Sequence, residues 1–172
     1  MTKFGSRGQK ILKFIHLVMV CLWTGGAVAL NLMILLLGPA TSGEELYGYN
    51  MAAILVDDAV LIPGAMGCLI TGILISGLTP WGFFKHKWVT IKYILTVFCI
   101  LFGTFVLGPT VNDQPQITKE FGLSAISNST YMANWLNSVL GGIFQMLAFM
   151  FMILISILKP WRKSGSAKDA AA

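Results

Sequence analysis

Charge is what this sequence has least of. Only 11% of its 172 residues are charged, against about 25% in soluble domains, while 56% are hydrophobic and the mean hydropathy is +0.76. The charges are also bunched. Thirty residues between Lys13 and Glu44 carry none, nor do 26 between Asp58 and Lys85, 20 between Lys92 and Asp113, or 38 between Glu120 and Lys159. A hydrocarbon core roughly 30 Å thick needs about 20 apolar residues per crossing. Such gaps exclude a soluble enzyme, a nucleic-acid module and a disordered chain. Cysteine is scarce too: Cys21, Cys68 and Cys99 lie inside apolar runs without CxxC spacing. That excludes a disulfide framework or a zinc site, and they read as small buried apolar residues. The period-2 alternation of a membrane barrel is missing as well.

What is present is helical. An all-α, four-helix transmembrane bundle is expected, with spans at about 10–37, 51–78, 87–108 and 133–158, since helices satisfy every backbone group within lipid. Gly38-Pro39, Pro80, Gly108-Pro109 and Pro160 punctuate the four ends as stop signals. The apolar run of the first span is too long for a signal peptide. The spans make one domain, 1–162, followed by a small polar tail, 163–172, expected to be disordered. Lys3, Arg7, Lys10 and Lys13 precede the first span, Lys85 and Lys87 separate the second from the third, and Lys159, Arg162, Lys163 and Lys168 follow the fourth. The positive-inside rule then places both termini and the middle connection in the cytoplasm of a bacterial inner membrane. This distribution accounts for the net charge of +5 without a nucleic-acid partner; the partner is the lipid bilayer.

The two halves echo each other. Leu37-Gly38-Pro39 returns 70 residues later as Leu107-Gly108-Pro109, and Leu78-Thr79-Pro80-Trp81 returns 80 later as Leu158-Lys159-Pro160-Trp161. A duplicated helical hairpin is the reading. The offset of 70 also relates the only two histidines, His16 and His86. Each lies 22 residues before its Gly-Pro, about 33 Å along a helix, which puts both near the cytoplasmic face.

Against so few polar groups, the exceptions mark where chemistry is to be sought. Two histidines at one depth on helices 1 and 3 could hold haem b or a related tetrapyrrole between two imidazoles, with nearby lysines for its propionates. An interfacial His86 with no ligand is the plainer alternative. Lys92 stands among apolar residues of the third span, where an ionisable group is costly; it either snorkels or faces inward as an electrostatic partner. Asp57 and Asp58, adjacent near the outer end of helix 2, suit a cap or a cation. Asn31, Thr24 and Gln145 suit interhelical hydrogen bonds, and Gly25, Gly26, Gly141 and Gly142 suit close helix approach, which leaves a homodimer or a place in a larger membrane complex open. The alternative to a cofactor site is a non-enzymatic ion or metal transporter, or an accessory subunit, using these polar groups as a path.

His16-x6-Trp23-x-Gly25-Gly26, Trp88-x3-Lys92 and Lys159-Pro160-Trp161 together resemble a group of small bacterial multi-span proteins. The group includes the copper-resistance D family, the membrane-embedded protoporphyrinogen oxidase family and four-span relatives of unknown function. In the oxidase family a helix-1 histidine and a helix-3 lysine matter for function, and haem b is associated. The resemblance implies those roles for His16 and Lys92 and a redox function. Met132 to Ser138 stand where that family has an Arg and an Asn-Glu-x-Pro, so the four-span relatives of unknown function are the closer resemblance.

Overall fold

The structure, a computed structural model, describes residues 5–36, 40–79 and 82–159. Pro39, Pro80, Trp81, Pro160, Trp161 and the tail 163–172 lie outside the described residues, so the stops and the tail expected there are not addressed. All regular elements described are helical: α1 (Ser6–Leu36), α2 (Gly43–Val56), α3 (Ile62–Leu78), α4 (Lys87–Phe102), α5 (Gly108–Asn112), α6 (Gln114–Phe121) and α7 (Ser129–Leu158). They form four helical stretches long and apolar enough to cross a membrane: Ser6–Leu36, Gly43–Leu78, Lys87–Ser127 and Ser129–Leu158. This is an all-α four-helix bundle and a multi-pass membrane protein. Its outward side chains, such as Phe14, Leu55, Ile94, Leu147 and Ile157, are apolar and exposed, as lipid contact demands and water would not allow.

The boundaries differ from the sequence reading at the end of the bundle distal to the chain termini. Helix 2 starts at Gly43 rather than 51. Ser42 is its N-cap and accepts from the Glu45 N–H (3.1 Å), while the Glu45 carboxylate reaches back to the Thr41 N–H (2.7 Å), a reciprocal arrangement that starts a helix despite the acidic residues. Asp57 and Asp58 therefore lie well inside a continuous helix and cap nothing. The last span starts at Ser129, where the Asn128 side chain accepts from the N–H groups of Thr130 and Tyr131. The connection between the last two spans is itself helical, built of α5, α6 and a 3-10 turn, Gly122–Ser127.

Gly108-Pro109 does not stop the third span. The helix passes through it by widening: Gly103–Leu107 forms a π turn in which the Gly108 N–H bonds the Gly103 carbonyl. Asp57–Leu61 does the same before Pro63, with the Ile62 N–H on the Asp57 carbonyl. A proline removes one donor and crowds the carbonyl four residues back; one extra residue in the preceding turn relieves both. The two π turns fall in the second and third spans, while residues 137–141, which are 80 away from the first, and 33–36, which are 70 away from the second, are regular α-helix.

Inside lipid there is little hydrophobic force between helices, and small residues must let them meet. Along the antiparallel seam of α1 and the second span, Gly26 sits on Leu61, Trp23 on Gly64, Met19 on Gly67 and His16 on Thr71 and Gly72. Distally, Ile34, Leu46, Ala53, Val111, Ala125, Tyr131 and Val139 form one core. Within it Asn50 donates to Thr118 (3.3 Å) and Tyr131 (3.4 Å), Thr110 pairs with Ser138 (2.8 Å), and Trp135 Nε1 caps the Ile34 carbonyl (3.0 Å). Deeper in the bundle, Gln145 makes the expected interhelical bond, to the Cys99 carbonyl (3.2 Å). Asn31 and Thr24 do not: they donate to Ala27 and Val20 of their own helix, because a carbonyl one turn back is always in reach. Asn31 instead fills the space left by Gly142. Cys68 and Cys99 are buried as expected, whereas Cys21 is exposed on the outer surface.

A Cβ at Gly64 would lie 2.6 Å from the Trp23 backbone nitrogen, and neither helix can yield without opening the seam. Gly64→Ala is expected to destabilise the protein by about 1–3 kcal/mol, measured by thermal unfolding in detergent. Gly48→Ala, on an exposed helical face with nothing within 4 Å, is expected to leave the midpoint unchanged or slightly raised.

Candidate functional site

The seam that holds the bundle tight distally gives way to a cavity at the end carrying the N-terminus. It encloses about 600 Å³ and receives side chains from all four helical stretches: Lys13, His16 and Trp23 of α1; Cys68, Gly72 and Ser76 of α3; Trp88, Lys92 and Thr96 of α4; Phe149, Met152 and Ser156 of α7. Its walls are chiefly apolar, and among the described residues Lys13, Lys92 and Lys159 are its cations and no Asp or Glu lines it. A volume of this size falls within the range of roughly 300–1,000 Å³ typical of small-molecule and cofactor sites.

His16 is the best-oriented group in it. Thr71 gives its single hydroxyl proton to the Gly67 carbonyl at 2.6 Å. Its oxygen is therefore an acceptor toward His16 Nδ1, 2.7 Å away, and the imidazole carries its proton on Nδ1. The Cys68 carbonyl also lies within hydrogen-bonding reach of the ring, and in a neutral ring protonated on Nδ1 the lone pair is on Nε2. Such a bond from the other ring nitrogen, fixing tautomer and ring orientation, is the usual companion of a histidine that ligates a metal. Gly72 lies beside the ring, with 3.7 Å from its would-be Cβ to His16 Cε1.

Two further groups share the cavity. The Lys92 side chain is partly buried and forms no ion pair with the described residues; its electrostatic neighbours are His16 and Cys68. Trp23 is 3% exposed, packs on Phe149 with ring centroids 4.6 Å apart and planes tilted by 55°, and its Nε1–H is buried without an acceptor among the described residues. A buried donor left unpaired in a cavity costs roughly 1–3 kcal/mol until something accepts from it.

The structure brings His16 and Lys92 together and leaves His86 out. His86 is the N-cap of α4, with extended backbone (φ −128°, ψ 124°) and its carbonyl taking the Val89 and Thr90 N–H groups. Its ring runs along Trp88, centroids 6.3 Å apart, and does not line the cavity. Matching depth does not bring it to His16, because the helix begins only after His86. Asp57 and Asp58 also stand elsewhere: they open the π turn before Pro63, Asp57 half-buried and Asp58 exposed. Asn31 and Gln145 border a much smaller void between helices, of about 20 Å³. No cluster of three or more His, Cys, Asp or Glu occurs among the described residues.

Thr71 and Trp23 as a polar donor were missed by the sequence reading. The signal was there for Thr71: a hydroxyl in an apolar span, on the helix antiparallel to α1 and at the depth of His16. No family model matches the chain, and neither does any curated protein or solved structure.

The tautomer is directly testable. In ¹⁵N-histidine-labelled protein carrying His86→Gln, the His16 ring is expected to show its proton on Nδ1. Thr71→Val should shift it toward Nε2, the tautomer free imidazole prefers, and Thr71→Ser should restore Nδ1. An Nε2–H signal in the parent protein would contradict the assignment.

Proposed function

We propose that this cavity binds haem b or a closely related tetrapyrrole, near the cytoplasmic face of a bacterial inner membrane, and that the protein has a redox role. The observation that carries the proposal is the Thr71–His16 pair, which orients an imidazole at the wall of a large apolar cavity rimmed by cations.

The residues present fit such a group. His16 would hold the iron through Nε2. Lys92 and Lys13 would meet the propionates as charge-assisted donors, and the Trp23 Nε1–H would gain an acceptor. Val20, Leu69, Phe149 and Met152 supply the dry walls. Bound there, the iron porphyrin would supply a one-electron redox centre. What the chain itself does is orient the ligating nitrogen, exclude water and neutralise carboxylates. The resemblance of His16-x6-Trp23 and Trp88-x3-Lys92 to families in which a helix-1 histidine and a helix-3 lysine matter supports the same assignment.

Detergent-purified protein expressed with haem supplementation is expected to show a Soret band. His16→Ala should abolish it, while His86→Ala should leave it in place. Lys92→Met should weaken binding about tenfold, in line with a charge-assisted hydrogen bond worth roughly 1.5–3 kcal/mol. A colourless protein that also fails to bind added haemin would refute the proposal.

A further inference from the structure

The cavity has a side entrance. On α1, residues at seven-residue intervals along the side turned to α7 lose their cover step by step: Ile34 and Ala27 are buried, Val20 is half-buried and Lys13 is exposed. On α7, Val139 and Ile157 lie 18 residues apart, five full turns and therefore the same side; Val139 is 9% exposed and Ile157 71%. The two helices touch from Trp135 on Ile34 down to Phe149 on Trp23. Leu17, Ile153 and Ile157 line the cavity yet stay exposed, so the gap between the helices is an opening with apolar lips. The opposite gap, between α3 and α4, is stopped by Phe83, which packs on Tyr93 at 5.6 Å and stands against Gly77.

We propose that this gap is a lateral portal through which an amphipathic anion dissolved in the bilayer enters the cavity, its charged end led by Lys13 and Lys159 and its apolar body passing between Leu17 and Ile157. Three facts select that ligand class. The opening lies on the flank of two helices apolar enough to cross a membrane, its lips are apolar, and Lys13 and Lys159 lie on the terminal side of it while no acid among the described residues lines the cavity. A water-borne ligand would need a polar mouth, and a neutral lipid would make no use of the lysines. The inference rests on the tetrapyrrole reading above, since haem is itself such an anion, and adds the route by which it arrives.

The test bridges the lips. In a chain carrying Cys21→Ser, Cys68→Ala and Cys99→Ala, the pair Leu17→Cys and Ile157→Cys is joined by a short bismaleimide. Haemin uptake from haemin-loaded liposomes is followed through the Soret band. Bridged protein is expected to load at least about tenfold more slowly than the same protein unbridged, and to reach the same final occupancy. Equal rates would overturn the portal while leaving haem binding intact. No uptake by the wild-type protein would overturn the tetrapyrrole reading and the portal with it. Should that chain fold poorly, Ile157→Cys in a background carrying only Cys21→Ser, which removes the exposed native thiol, is alkylated with a bulky maleimide and reads the same rate against the unalkylated protein.

Discussion

The seam between α1 and the second span is the contact on which the rest of the molecule hangs. In lipid, apolar side chains gain nothing by leaving one another for solvent, so helices hold where backbones come close. Here the approach is made by Gly26, Gly64 and Gly67 meeting Leu61, Trp23 and Met19 in turn. Because contacts recur every three or four residues, the seam also sets register, and the next step along it is His16 against Thr71. The same geometry that joins the helices therefore decides which imidazole nitrogen is spent and which is left over. A bulkier residue in the seam would move more than packing; it would slide the histidine off its hydroxyl.

Tightness in one half and openness in the other have a common origin. The distal half has two layers of restraint, the membrane helices and a cap of α2, α6 and the 3-10 turn, knitted by buried polar side chains such as Asn50, Thr110, Thr118 and Ser138. Among the described residues the terminal half carries no such cap, and helices held together at one end are free to splay at the other. Bulky Trp23 and Phe149 sit at the branching point and form the roof of the cavity. The binding space thus follows from where the restraint stops, with no dedicated insertion needed to build it.

How much of this was legible in the sequence depends on the kind of signal. Charge-free runs specify four apolar helices with little ambiguity, since the one other structure stable in hydrocarbon, a closed barrel, needs a period-2 alternation that is missing. His16 and Lys92 stood out because ionisable groups are rare in such runs, and the structure places both in one cavity. Helix ends were read less well. Gly108-Pro109 looks like a stop, yet a helix in a membrane has no water to take over its freed carbonyls and widens around the proline instead. The start of α2 was hidden because Ser42 and Glu45 are polar, and apolar content was the ruler used to find spans. His86 misled for a different reason: equal distance from two Gly-Pro pairs fixes depth only while the chain is helical over the whole interval, and His86 precedes its helix. Thr71 was overlooked because a lone hydroxyl in a span is common, and its meaning lies in a partner 55 residues away.

The two π turns carry a consequence for how each long span is organised. One extra residue in a turn rotates everything beyond it by about 100° relative to a uninterrupted α-helix. The second and third spans are therefore each two segments in different phase, and a stripe of residues drawn along one segment changes face in the next. This frees the distal segment to aim its side chains at the cap while the terminal segment aims its own at the cavity, with neither pattern compromised by the other. Sequence change in one half can then be absorbed without turning the faces of the other, and the site and its support can vary separately.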